Sequence, residues 1–145
     1  MAAPARHLEA VPGLSGIDHV TIVTGDHGAA RRYYEQALRP LGFAVVFDWP
    51  DGGRVHLGLP RERSSLWLVQ GSRPGRVTLS LAAPDAATVD AFFAAALAAG
   101  GRPLSAPGLR PEYTPSTYAA EVADPEGNTV EAICRRATPA AAHAA

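Results

Sequence analysis

This sequence predicts an α+β fold: two tandem β-α-β-β-β modules forming a curved mixed sheet around a cleft, with the helices on the outer face. Three observations carry that expectation. The order of elements in the first half recurs in the second. Laying Tyr33-Tyr34 over Phe92-Phe93 gives a repeat offset of about 59 residues. At that offset Val20-Thr21-Ile22 falls on Leu79-Ser80-Leu81, Asp26 on Asp85, Ala37-Leu38 on Ala96-Leu97, and Gly42 on Gly101. Finally, Asp124-Pro125-Glu126-Gly127-Asn128 concentrates turn chemistry directly before an alternating run, as in a hairpin feeding a last strand.

In chain order, residues 1–16 carry two prolines and two glycines but no apolar signal-type core, and read as a flexible lead-in. Ile17–Thr24 alternates Val20 and Ile22 against His19, Thr21 and Val23, so it is expected to be a strand. Asp26 can cap a helix over His27–Leu41, whose Ala30, Tyr33, Tyr34, Ala37, Leu38 and Leu41 share a face and which Pro40 and Gly42 close. Phe43–Trp49, Arg54–Leu59 and Ser65–Gln70 read as strands, with a turn at Pro50–Gly53 and a charged loop at Pro60–Arg63. Module one thus spans about residues 17–71.

Module two, about residues 75–135, repeats the order. Arg76–Ala83 is a strand, and Ala86–Ala99 a helix stopped by Gly100-Gly101. A weak strand near Arg102–Ser105 leads into a loop through Pro107, Pro111 and Pro115, and Ser116–Ala123 and Asn128–Arg135 finish the unit. Residues 136–145 read as a flexible tail. On the last strand Thr129, Glu131 and Ile133 share one face, which leaves Glu131 as a carboxylate inside an otherwise apolar run.

The bulk numbers narrow the function classes. A chain of 145 residues with 47% hydrophobic and 19% charged residues is one globular domain with room for a core. A net charge of −1, with its 13 Lys and Arg scattered, argues against nucleic acid as a partner. The most apolar run, Ala91–Ala99, is about half the length a bilayer span needs, so no membrane partner is expected. One cysteine excludes an intramolecular disulfide and a multi-cysteine zinc site, and Cys134 falls among core positions. A cytoplasmic location is the expectation that follows.

With Ile17-Asp18-His19-Val20 opening the first strand and the Asp124–Asn128 turn placing Glu131 just beyond, the chain resembles the vicinal oxygen chelate superfamily. This is the group of glyoxalases, bleomycin-resistance proteins and extradiol dioxygenases, and the likeness runs from about Ile17 to Arg135. The resemblance implies four inward-facing metal positions, one near the first and last strand of each module. Carried over, they fall on His19, Trp67, Thr78 and Glu131, so only His19 and Glu131 keep a metal-ligand type. His56 and Glu121 would complete a set only in a different strand register.

The expectation is therefore a protein that binds or acts on a small organic molecule in the inter-module cleft, with no metal cofactor. His19 and Glu131 are its candidate catalytic acid/base pair, and Trp49, His56, Trp67, Thr78, Tyr113 and Tyr118 its candidate substrate-binding residues. Two alternatives stay open. One is a metal-dependent lyase, isomerase or dioxygenase that holds Zn, Ni, Fe or Mn on His19 and Glu131. The other is a non-catalytic drug-sequestering resistance protein. Plainer roles are open as well: His19 bonded to a neighbour, Glu131 paired with Arg76 or Arg135, and the aromatics packed in the core. The resemblance also implies a homodimer, with the site either within one chain or shared between two.

Overall fold

A computed structural model describes residues 17–60, 65–72 and 75–137. The expected lead-in, most of the charged loop and the last eight residues of the tail lie outside the described residues. Ala137, expected in that tail, is instead buried, and its N–H donates to Ser116 O at 2.9 Å.

Module one runs β1 (His19–Thr24), α1 (His27–Ala37), β2 (Ala44–Asp48), β3 (Arg54–Gly58) and β4 (Ser65–Gln70). Module two runs β5 (Thr78–Ala82), α2 (Ala86–Ala98), β6 (Arg102–Leu109), β7 (Tyr118–Ala123) and β8 (Thr129–Cys134). Each module has its own four-stranded mixed sheet, ordered β1-β4-β3-β2 and β5-β8-β7-β6. In each, the first strand runs parallel to the last, and the other pairs are antiparallel.

The helices start where short acceptors sit. Asp26 accepts from Ala29 N at 2.9 Å, and Asp85 accepts from Thr88 N at 2.8 Å and Thr88 Oγ1 at 2.7 Å. Both satisfy first-turn amides that have no partner within the helix. α1 ends at Ala37 rather than Leu41, and Arg39–Leu41 tightens into a 3-10 turn. Pro40 explains this, because it has no N–H for another helical bond and disfavours α conformation at Arg39. β6 continues beyond Ser105 to Leu109, through Pro103 and Pro107. It is an edge strand with two irregularities in its pairing, so prolines that cannot donate are tolerated there.

Each sheet presents one face to its helix. Ile22, Val55, Leu57, Leu66 and Leu68 bury beneath α1, while Val130, Ala132 and Val122 bury beneath α2. Tyr33, Tyr34, Val89 and Phe92 join the two sets into one core, because α1 and α2 also pack on each other. At the end of α2, a Cβ on Gly101 would lie 2.5 Å from Val122 Cγ1 and 2.8 Å from Ala96 O, so only glycine permits this approach.

The two modules are also tied by the Asp124–Asn128 turn. Asp124 accepts from Glu126 N and Asn128 N within the turn, and from Tyr34 Oη of α1 at 2.7 Å. Glu126 Oε1 accepts from Gly25 N at 2.7 Å and Asp26 N at 3.3 Å, just before α1. Gly127 supplies the positive φ of 87° that closes the turn.

Candidate functional site

The faces turned away from the helices carry the titratable and aromatic groups. In module one, β4 is central to the arrangement. Trp67 sits between Thr21 of β1 and His56 of β3 in the strand register. The alternation that buries Leu66 and Leu68 beneath α1 forces Trp67 to the opposite face. His19 stacks on the Trp67 ring at 4.6 Å and 18°. Trp49 and His56 lean on the same ring at 5.2 Å and 5.8 Å, and Phe47 meets Trp49 edge-on at 4.7 Å. The Arg54 guanidinium lies 4.8 Å over Trp49. The Trp67 indole donates to Ser65 Oγ at 3.2 Å, a bond along the same strand face that helps to fix the ring. His19 is held by Asp18, Nδ1 to Oδ1 at 2.7 Å, with 40% of its side chain exposed.

Module two presents carboxylates at the corresponding place. Glu131 of β8 lies between Ser80 of β5 and Glu121 of β7, as Trp67 lies between Thr21 and His56. The registers of the two sheets therefore repeat, and Trp67 and Glu131 occupy equivalent positions. Glu131 is only 5% exposed, and Ser80 Oγ donates to its Oε1 at 2.6 Å. Among the described residues no cation pairs with Glu131; the partners expected at Arg76 or Arg135 are not there. Thr78 opens β5, exposed, opposite Thr129.

The predicted site residues thus fall into groups. His19, Trp49, His56 and Trp67 form one cluster, and Glu131 stands in a second group with Ser80 and Glu121. Thr78 is on the second sheet, and Tyr113 is 54% exposed in the loop before β7. Tyr118 is a correction: it lies on the helix-covered face, 2% exposed, with its hydroxyl donating to Asp90 of α2 at 2.8 Å. Burial, and then that hydrogen bond, push its pKa up to about 12. The residue count from Cys134 explains the miss, since positions 118, 120 and 122 share the face that α2 covers.

Among the described residues no hydrogen bond, ion pair or ring contact joins the His19–Trp67 cluster to Glu131, Glu121, Ser80 or Thr78. The modules meet through their helices instead, so the cleft expected between them is not assembled by direct side-chain contact. Phe47, Arg54 and Ser80 are site neighbours that sequence reasoning passed over. Their partnerships depend on cross-strand register, which alternation alone does not supply.

A divalent metal is the usual cofactor implied by the resemblance, and the donor set here does not fit one. Among the described residues no three of His, Cys, Asp and Glu come together to hold an ion. Trp67 takes the place of one of the ligands that the resemblance implies, and its ring is the surface on which His19 stacks. His56 does not repair the set, because the register puts it beside Trp67.

Comparison with known proteins agrees with this fold. A glyoxalase/bleomycin resistance protein from Albidiferax ferrireducens T118 is 27% identical, with a TM-score of 0.72 over 83% of this chain and 100% of that one. A lactoylglutathione lyase from Agrobacterium tumefaciens, 23% identical, superposes with a TM-score of 0.61 over 83% of this chain and 94% of that one. A glyoxalase-related enzyme from Fulvimarina pelagi, 23% identical, gives 0.65 over 83% and 88%. No curated protein matches the chain in sequence. The model of the Glyoxalase/Bleomycin resistance protein/Dioxygenase superfamily matches residues 16–132, and the chain belongs to that superfamily.

Proposed function

We propose that this protein binds a small, flat organic molecule against the aromatic face of module one, without a complete metal site. The observation that carries this reading is Trp67, standing where its repeat equivalent is a carboxylate and stacked by His19. Offset stacking on Trp67 and Trp49 favours planar ligands, and His19, His56 and Arg54 add polar anchors at the rim.

A homodimer completes this site in the proposal. One chain leaves the aromatic face and the Glu131 face without a shared wall, and β1 and β5 are both sheet edges. A second copy can lay its module two over the aromatic face, bringing Glu131 and Ser80 opposite Trp67. A second reading follows from Glu131 itself. A carboxylate that is 5% exposed, oriented by Ser80 and without a paired cation among the described residues can exchange a proton with a bound substrate, with His19 as the complementary group.

Both tryptophans of the chain belong to this cluster, so intrinsic fluorescence reports on it directly. Titration with a panel of flat bicyclic aromatics should quench saturably, and Trp67→Ala should weaken that binding by about tenfold. No saturable quenching with any flat compound would sink the proposal. Stoichiometric Zn, Ni, Fe or Mn after chelator-free purification would replace it with the metal-dependent alternative. Glu131→Gln then separates the two readings: lost turnover with retained binding selects the catalyst, and the absence of any turnover selects the binder.

A further inference from the structure

On the opposite side of module one, between α1 and the start of β2, lies a cavity of about 410 Å³. Arg32, Glu35, Gln36, Arg39, Phe43 and Val45 line it. Arg32, Glu35 and Gln36 fall at i, i+3 and i+4 on one side of α1, and Arg39 joins them from the 3-10 turn that follows the helix. Val45 lies opposite Leu57 in the register, which places the cavity on the helix side of the sheet, away from Trp67.

Neighbouring charges on this helix normally satisfy each other, and Arg31 illustrates it. It pairs with Glu35 at 3.5 Å and with Asp48. The side chains of Arg32 and Arg39 make no ion pair and no hydrogen bond among the described residues. Glu35, the one carboxylate in the lining, pairs with Arg31 and makes no ion pair with Arg32 or Arg39 among the described residues. In the same lining, Phe43 and Val45 are partly buried and rest on the core. β2 is also the outer strand of its sheet, so its outward backbone groups are open to a ligand.

We propose that this groove is a binding site for an organic carboxylate with an apolar body. Arg32 and Arg39 take the carboxylate, for which the planar guanidinium fork is shaped, and Phe43 and Val45 take the body. The site is separate from the aromatic face and does not depend on it.

The test is a titration of the full-length protein with phenylacetate and with its neutral analogue phenylacetamide, followed by nitrogen-edited NMR. Saturable shifts should centre on the side-chain N–H of Arg32 and Arg39 and on the amides of Phe43 and Val45. Phenylacetate should bind at least about fivefold more tightly than the amide. Arg32→Ala and Arg39→Ala should each weaken phenylacetate by roughly three- to tenfold, a modest range because both groups meet solvent. Both residues are exposed, so neither variant threatens the fold. Equal affinity for acid and amide, shifts confined to the tryptophan cluster, or no saturable shift would each overturn the assignment.

Discussion

Asp124 accepts four hydrogen bonds, from Glu126 N, Asn128 N, Asn128 Nδ2 and Tyr34 Oη, while only 5% exposed. A turn at this position is legible from its residue types alone, since Pro, Gly and Asn each suit a particular turn geometry. The fourth bond is not, because Tyr34 lies far away along the chain. Asp124→Ala would strand buried donors on both modules, and should lower unfolding free energy by about 3 kcal/mol or more. Tyr34→Phe removes one of the four bonds and leaves Asp124 with three, so about 1–2 kcal/mol is expected. Urea unfolding measures both, and a loss below about 1 kcal/mol for Asp124→Ala would contradict the network. Glu131 shows the same division. Its oddness on an apolar strand was visible, but its partner Ser80 emerged only from the register of β5 beside β8.

At the scale of elements, alternation and capping placed every strand and both helices, and the errors sit at ends where proline decides. α1 stops short because of Pro40, and β6 runs long because an edge strand forgives Pro103 and Pro107. The helix-covered faces also set a pH dependence. Burial first, and then Asp124, raise the pKa values of Tyr33 and Tyr34 above the ordinary 10.0, and Tyr118 is raised to about 12. A phenol whose folded pKa exceeds its unfolded value stabilises fully below the unfolded value and loses that contribution as pH rises. Stability should therefore begin to fall above pH 10.0 and keep falling through about 12, where Tyr118 ionises. Tyrosinate absorbance followed alongside thermal unfolding checks this; ionisation of all the tyrosines near pH 10.0 with the fold intact would refute it. The α2–β6 junction gives a second check. Gly101→Ala must push Val122 or the Ala96 carbonyl aside, and should cost roughly 1–3 kcal/mol in denaturant unfolding. An unchanged midpoint would mean the junction yields easily.

At the scale of the whole molecule, the question is what covers the two faces that the helices leave bare. Phe47 and Val46 of β2 are each 51% exposed, and Leu104 and Leu109 of β6 remain exposed on the corresponding edge strand. Pairing with a second copy would cover such surface and set the aromatic wall against Glu131. Sedimentation at increasing concentration should show a dimer, and Trp67→Asp should shift it towards monomer by setting a second carboxylate against Glu131. A monomer at all concentrations would return the site to the single chain.

The sequence by itself determined the tandem β-α-β-β-β order, the helix caps and the reverse turn before the last strand. These follow from local chemistry and from periodicity, which residues carry wherever they lie. Only the tertiary structure decided that Tyr118 belongs to the core, that Ser80 rather than an arginine holds Glu131, and that the modules join through their helices and the Asp124 turn. Those outcomes depend on strand register and helix packing, which are set by contacts between residues distant in the chain. A pattern of alternation says which side chains share a face, but not what that face will meet.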